Sequence, residues 1–328
     1  MKILIIKLSS MGDVLHALPA AEEIARATGA RIHWAVQPEF SGIVRAFGCV
    51  ERVIEIPRPS KFGEWLKAVK KLGSEKYDVV VDLQGLLKSA AVAVFAGGRR
   101  TFGPAYAREG AGWFYNGRPP KNGRKHAVEE CMDVAKLLCE NAGKSVPPSG
   151  ECAAEFHGAK LLLPESPFAR GEKMRVAIAP RSRWESKNWP AENFAELARR
   201  LAENGVEVCV IGGKNDNVVS SAEAQNSIYD FCGKASLLES AALLKTCDCL
   251  VTNDSGPMHI AAALGVRCVA LFGPTDAART GPYGAGHVVL KGVCEKAPCY
   301  KRTCPKGDKS CLKGITVEMV LEQLSRRD

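Results

Sequence analysis

Short apolar runs alternate with helically spaced stretches along most of this chain. Ile3–Ile6, Ile32–Val36, Val53–Ile56 and Val79–Asp82 predict strands. Between them, Val14–Thr28, Phe40–Phe47 and Lys61–Leu72 predict helices, the first two closed by Gly29 and Gly48. Residues 86–97 and His126–Cys139 continue the helical pattern. Residues 143–173 break the rhythm: Pro147, Pro148, Gly150, Pro164, Pro167 and Gly171 predict a connection between domains, with one apolar strand, Leu161–Leu163, inside it. The alternation then restarts with a strand Val176–Ala179, a helix Pro190–Asn204 ended by Gly205, and a strand Val206–Ile211. Helices Ser220–Ser227 and Leu237–Lys245 follow, then a strand Cys249–Thr252, a helix running to Leu264 and stopped by Gly265, a strand Cys268–Phe272, and a last helix Thr316–Leu324. Strands alternating with helices at this rhythm imply βαβ units and parallel sheets. The chain reads as two α/β domains of similar size, 1–155 and 156–328.

Composition changes this picture little. At 328 residues the length suits two domains, and 46% hydrophobic with 25% charged residues is ordinary for a globular protein. No apolar run approaches the ~20 residues of a spanning helix. Met1–Lys7 has too short an apolar core for a secretory signal, and the polar Ser9–Asp13 turn follows it, so a cytosolic location is expected. Most of the thirteen cysteines, such as Cys209, Cys247, Cys249 and Cys268, sit in apolar contexts and read as small buried hydrophobes. Cys294, Cys299, Cys304 and Cys311 do not. Their spacings are not those of a Cys-x2-Cys knuckle, so a structural loop is preferred and a metal site stays open as the alternative.

Charge adds more. The net charge is +9, and residues 1–150 hold 22 Lys and Arg against 15 Asp and Glu. Within 99–125, Arg99, Arg100, Arg108, Arg118, Lys121, Arg124 and Lys125 face Glu109 alone. A solvated basic face explains this by itself. A docking surface for an anionic glycolipid or membrane is the sharper reading. The cluster lacks the aromatic interleaving of a nucleic-acid module, so no nucleic-acid partner is expected.

The candidate chemistry sits where strands open onto helices. The strand through Val251 ends in Asn253-Asp254, and Ser255 can cap a helix with Pro257 in its first turn. That places backbone N–H donors and the positive end of a helix dipole at the carboxyl edge of a sheet, where phosphates bind. Asp254 is wrong for phosphate and right for sugar hydroxyls, and the pair suggests a nucleotide-sugar. After the first strand, Lys7–His16 contains one glycine instead of the three of a dinucleotide fingerprint, which argues against an NAD enzyme. Asp13 in this loop is a candidate general base, unless it only charges the first helical turn favourably. Lys88 opens a helix whose dipole it opposes, which an anionic ligand would explain.

These motifs resemble a family. Asp254-Ser255-Gly256-Pro257-Met258-His259, then Ala263-Leu264-Gly265-Val266 and Ala270–Thr275, resemble the donor-site signature of the ADP-heptose:lipopolysaccharide heptosyltransferases. Lys7–His16 and Asp82–Ser89 resemble that family's N-terminal motifs, and Arg181–Pro190 contains its Lys-x-Trp-Pro. Arg58–Lys61, Arg108-Glu109, Phe114–Arg118 and His126–Glu129 resemble acceptor-side segments of its first member. The resemblance implies a GT-B fold, two Rossmann-like domains facing across a cleft with the helix 316–324 crossing back to the first. It implies an inverting transfer of heptose from ADP-heptose to Kdo of Kdo-lipid A, with no cofactor and no metal, by a cytoplasmic enzyme peripheral at the inner membrane.

By residue, the resemblance makes Asp13 the base. Ser182, Lys187 and the segment Ser255–His259 hold the diphosphate, Asp254 the heptose, and Asp216 the ribose. The departing diphosphate develops negative charge, so a fixed cation at Lys187 suits it. Ser10, Gly12, Arg58, Lys61, Lys88, Arg118 and Lys121 are then the acceptor side, with Arg forks suited to carboxylates and phosphates. Heptosyltransferase II, or a relative using another sugar, is the alternative. A nucleotide-sugar 2-epimerase shares the two-domain shape but has no need of the basic 99–125 face.

Overall fold

The computed structural model describes residues 1–145, 161–219 and 227–326. These fall into two compact units, residues 1–145 with 161–162, and residues 163–326. The expected boundary at 155/156 and the expected helix Ser220–Ser227, its last residue apart, lie outside the described residues.

The first unit is a five-stranded parallel sheet in the order β3-β2-β1-β4-β5. Its strands are β1 (Lys2–Ile6), β2 (Arg31–Val36), β3 (Val50–Glu55), β4 (Val79–Asp82) and β5 (Arg100–Phe102). The central strands read as unbroken apolar runs because both of their faces are covered, and Ile3, Leu4, Ile5 and Ile6 are fully buried. On one face Leu4, Ile6 and Val80 form a core with Trp65, Val69, Leu72 and Val92, contributed by the helices Phe62–Gly73 and Leu87–Ala96. The helix Leu18–Thr28 packs against the helix Ala127–Asn141.

Three expectations need correction here. Val14–Thr28 is two helices, Met11–His16 and Leu18–Thr28, joined at Ala17. Pro19 has no N–H to give a helix interior, so it marks the first turn of a new helix. Phe40–Phe47 is a 3₁₀ turn, Pro38–Phe40, followed by a short helix, Ser41–Arg45. In place of a strand Leu161–Leu163 there is one antiparallel bridge, Leu161 to Phe47.

The second unit is a six-stranded parallel sheet in the order β11-β10-β9-β6-β7-β8. The strands are β6 (Arg175–Ala179), β7 (Glu207–Val210), β8 (Ile228–Asp230), β9 (Cys249–Asn253), β10 (Arg267–Phe272) and β11 (Val288–Lys291). Trp189, Phe194, Leu197 and Leu201 pack with Val176, Ile178, Val208 and Val251 in its main core. The helix expected to cross back to the first domain runs Val317–Ser325, and Thr316 caps it. Its Val317, Val320 and Leu324 are buried in the second unit's core.

Both sheets follow the doubly wound plan. The order in which strands are added reverses between β1 and β4 in the first unit and between β6 and β9 in the second. Ligands of such sheets bind beyond the carboxyl ends of the strands at that reversal point.

Candidate active site

In the second unit the reversal point is built from loops after β6, β9 and β10. Lys187 sits in a short 3₁₀ turn, Glu185–Lys187, and its Nζ lies 2.6 Å from Asp254 Oδ2. The two side chains are only 15% and 6% exposed, so the pair is largely shielded from water. Thr275, in the loop after β10, donates its hydroxyl to the same Asp254 oxygen at 2.6 Å. Ser182 donates its hydroxyl to the Asp254 carbonyl at 3.1 Å, and the Ser182 N–H is held by Asn188 Oδ1 at 2.7 Å. The Lys187 Nζ also lies 4.6 Å from the ring centre of Trp184, close enough for a cation–π contact.

A buried amide network fixes these loops. Asn253 accepts from the Trp189 N–H at 3.0 Å and donates to the Pro180 carbonyl at 2.7 Å. The Trp189 indole N–H reaches the Ile315 carbonyl at 2.8 Å. Trp189 is buried and meets Phe194 edge-on at 4.9 Å, which makes it a packing residue. Ser255 caps the helix Gly256–Ala263 with extended backbone, and Pro257 lies in its first turn. The first N–H groups of a helix have no partner within it, so such an end can take an anion. The Met258 side chain is fully buried against Ala270 and Phe272, so its backbone N–H is the group it could offer a ligand. His259 is buried beside it. Asp216 follows β7, and one of its oxygens accepts from the Gly213 N–H at 2.7 Å, so half its carboxylate shapes its own turn.

In the first unit the loops after β1 and β4 are tied together. Gln84 Oε1 accepts from the Leu8 and Ser9 N–H groups at 3.0 and 3.1 Å, and the buried Lys7 Nζ donates to the Leu83 carbonyl at 2.6 Å. Asp13 stands in the first turn of Met11–His16, partly exposed, with Oδ2 accepting from both the N–H and the hydroxyl of Ser10 at 2.8 and 2.7 Å. Its other oxygen has no hydrogen bond among the described residues. Gly12 is buried beneath this turn. Lys88 lies half-buried at the start of the helix after β4, without an ion pair among the described residues.

Asp82 supports this edge from below. It is fully buried, accepts from Gln84 N, Gly85 N and the Tyr115 hydroxyl at 2.8, 3.1 and 2.7 Å, and its carboxyl is pushed above the ordinary range chiefly by burial. Burial, followed by the neighbouring Asp82 charge, drives the Tyr115 hydroxyl far above its usual range.

The remaining acceptor candidates spread along the same edge. Arg58 follows β3 and pairs with Glu39 at 2.5 Å, and Lys61 pairs with Glu64 at 3.5 Å. Arg118 and Lys121 are exposed on the loop after β5. The cluster 99–125 is less bare than its sequence suggested. Arg124 and Lys125 are met by Glu130 and Asp133 from the following helix, at 3.5 and 3.0 Å.

The four late cysteines share one small pocket, and burial raises the Cys311 thiol while backbone N–H groups lower that of Cys304. Among the described residues no three His, Cys, Asp or Glu side chains stand in an arrangement that could hold a metal. The loop between the cysteines instead braces the lysine turn: Ser186 donates its N–H to the Arg302 carbonyl at 3.1 Å and its hydroxyl to the Lys301 carbonyl at 2.6 Å. A cavity of 580 Å³ opens at the other end of the second sheet, lined by Arg170, Asp248 and Arg267, away from these motifs.

Residues 65–309 match the family model "Glycosyltransferase family 9 (heptosyltransferase)". The chain belongs to glycosyltransferase family 9, the heptosyltransferases. It is 33% identical to lipopolysaccharide heptosyltransferase 1 of Pseudomonas aeruginosa, over 93% of this chain and 87% of that protein. Against the Escherichia coli K12 protein of the same name it is 32% identical, over 90% and 95%. A solved E. coli heptosyltransferase, WaaC with ADP, superposes with a TM-score of 0.77 at 26% identity, covering 99% of both chains. E. coli ADP-heptose lps heptosyltransferase II follows at 0.75 and 25%, covering 99% of this chain and 97% of that one. The two-sheet α/β architecture of the GT-B class is therefore shared with these enzymes. This glycosyltransferase is a heptosyltransferase of lipopolysaccharide assembly.

Several residues of the site carried no role from sequence. Thr275 closes the family motif after β10, and the parallel pairing of β9 with β10 brings its hydroxyl to Asp254. Asn188, Gln84 and Tyr115 lie within segments that resemble the family and Asn253 directly precedes one, but their contacts, most of them to residues distant in sequence, were not readable from it.

Proposed function

We propose that this heptosyltransferase moves heptose from ADP-heptose to Kdo of Kdo-lipid A, as an inverting, metal-independent enzyme. What supports the donor half is the cluster of Lys187, Asp254 and Thr275 beside the open end of Gly256–Ala263. The diphosphate takes that helix end, the Ser182 hydroxyl and the Lys187 ammonium. Asp254 anchors the ammonium through Oδ2, which leaves Oδ1, without a hydrogen bond among the described residues, for a heptose hydroxyl. Asp216 has one oxygen left for the ribose.

Asp13 takes the proton of the acceptor hydroxyl as that oxygen bonds to the anomeric carbon. The bond from that carbon to the phosphate oxygen breaks on the opposite face, and ADP leaves with its electrons. Lys187 and the helix end then stabilise the charge gathering on the diphosphate. Ser10 holds Asp13 in place. Gly12, Lys88, Arg58, Lys61, Arg118 and Lys121 make up the acceptor edge, where cations meet the acceptor's carboxylates and phosphates. No described helix is long and apolar enough to cross a membrane. The enzyme reaches its lipid acceptor as a cytoplasmic protein drawn to the inner membrane by charge.

The test is ADP release from ADP-heptose with and without Kdo2-lipid A. Acceptor-dependent release supports the reading, and release that ignores the acceptor refutes it.

A further inference from the structure

One face of the first unit holds apolar side chains in water. The helix Leu87–Ala96 buries Ala90, Val92, Ala93 and Ala96, yet its outer side keeps Leu87, Val94 and Phe95 at 48%, 56% and 42% exposure. Positions i, i+7 and i+8 share one face of a helix, here two turns long. Its neighbours continue the strip. The helix Phe62–Gly73 packs beside it and starts at Phe62, 64% exposed. Phe62 stacks on Trp65 at 6.2 Å, and Trp65 meets Phe95 edge-on at 5.8 Å. The 3₁₀ turn Ala111–Phe114 also packs against this helix and presents Trp113 at 92% exposure and Phe114 at 47%. Single exposed hydrophobics need no explanation, but six on three neighbouring elements do.

Cations border the strip. Lys61 precedes Phe62, Lys88 follows Leu87, and Arg99 lies just past the helix end. Arg108 and Arg118 flank Trp113 in sequence, and Arg118 packs over Gly112, where an added Cβ would fall 2.4 Å from its guanidinium. Lys61 has Glu64 at 3.5 Å, and the other four have no carboxylate partner among the described residues. Glu109 accepts the Leu87 N–H at 3.1 Å.

We propose that this face is a membrane-docking surface that seats in the headgroup boundary of an anionic bilayer. Trp113, Leu87, Val94 and Phe62 enter the apolar margin, and the cations meet lipid phosphates. Charge complementarity selects this occupant. A second copy laid symmetrically on the face would set unpaired arginines against their own counterparts. The inference rests on the lipid-borne acceptor proposed above. It adds an inserted apolar strip to attraction by charge alone, and it brings the end of β4, with Lys88, to headgroup level.

Flotation of the full chain with phosphatidylcholine vesicles, with and without phosphatidylglycerol, tests it. The wild type should float with the anionic vesicles and keep part of that binding in high salt. Trp113→Ser with Val94→Ser should lower partitioning about tenfold, since both side chains lose their apolar contact with lipid. Trp113→Phe should retain most of it. Transfer to an acceptor stripped of acyl chains should be unchanged in the double variant, which also reports that it is folded.

Absence of wild-type flotation, double-variant binding equal to wild type, or complete stripping by salt would each overturn the proposal. So would a wild-type dimer that the double variant converts to monomer, because a second copy would then own the face. Flotation needs no ADP-heptose, so a failure of the donor or acceptor assignment would show separately, in the transfer assay.

Discussion

Replacing Lys187 should damage both stability and catalysis, and the geometry allows the two losses to be separated. Its ammonium lies 2.6 Å from Asp254 in surroundings that leave the partners 15% and 6% exposed. Lys187→Met strands a shielded carboxylate with only the Thr275 hydroxyl on it. Breaking a buried pair this way costs roughly 3–5 kcal/mol, and the residual exposure of Lys187 argues for the lower end, about 3 kcal/mol. Loss of a fixed positive group facing developing charge costs a further ~10²–10³ in turnover. Adding Asp254→Asn removes the stranded charge. The double variant should therefore melt closer to wild type than the single variant does, while remaining as inactive. Thermal melting and ADP release, with ADP affinity by calorimetry, read the two effects. Turnover of Lys187→Met within a few-fold of wild type, with ADP affinity unchanged, would refute the donor-site reasoning.

Asp13→Ala should lower transfer by ~10²–10⁴ while ADP affinity stays near wild type, and turnover within a few-fold of wild type would rule out Asp13 as the base. Arg118→Glu with Lys121→Glu should raise the acceptor KM and leave ADP-heptose binding alone. The wild-type KM should itself rise with salt, because exposed charges are screened beyond about 8 Å at physiological ionic strength; unchanged acceptor kinetics at low salt would reduce this cluster to a solvated face. Asp82 titrates higher in the folded protein, chiefly through burial, so the folded state binds more protons there than the unfolded state from the ordinary carboxylate range upward. Its contribution to stability therefore falls as pH rises through that window. Melting temperatures of wild type minus Asp82→Asn should decline across it, and a pH-independent difference would contradict the assignment.

The central strands were legible because burial on both faces leaves an unbroken apolar run, as in Ile3–Ile6 and Cys249–Thr252. The edge was harder. β3 begins at Val50, earlier than its apolar signal, because Glu51 and Arg52 point into water from an edge strand. β5, β8 and β11 are three or four residues long and gave no pattern to find. The last helix was legible from its period, which shows that a face will be buried and not against what.

In the site, family motifs fixed which loops matter. Pairing within the site was invisible. Lys187 and Asp254 read as two separate contacts to a ligand, and they hold each other across 67 positions of sequence because β6 and β9 are neighbours. Lone chemical signals were also ambiguous without contacts: Arg58, Arg124 and Lys125 looked free and are ion-paired.

The most direct test of the central claim is a discontinuous assay of ADP release from ADP-heptose by the wild-type protein, with and without Kdo2-lipid A. The account predicts release that depends on the acceptor, with one heptose joined to Kdo per ADP formed. ADP release at the same rate without acceptor, or none with this donor and acceptor together, would contradict it.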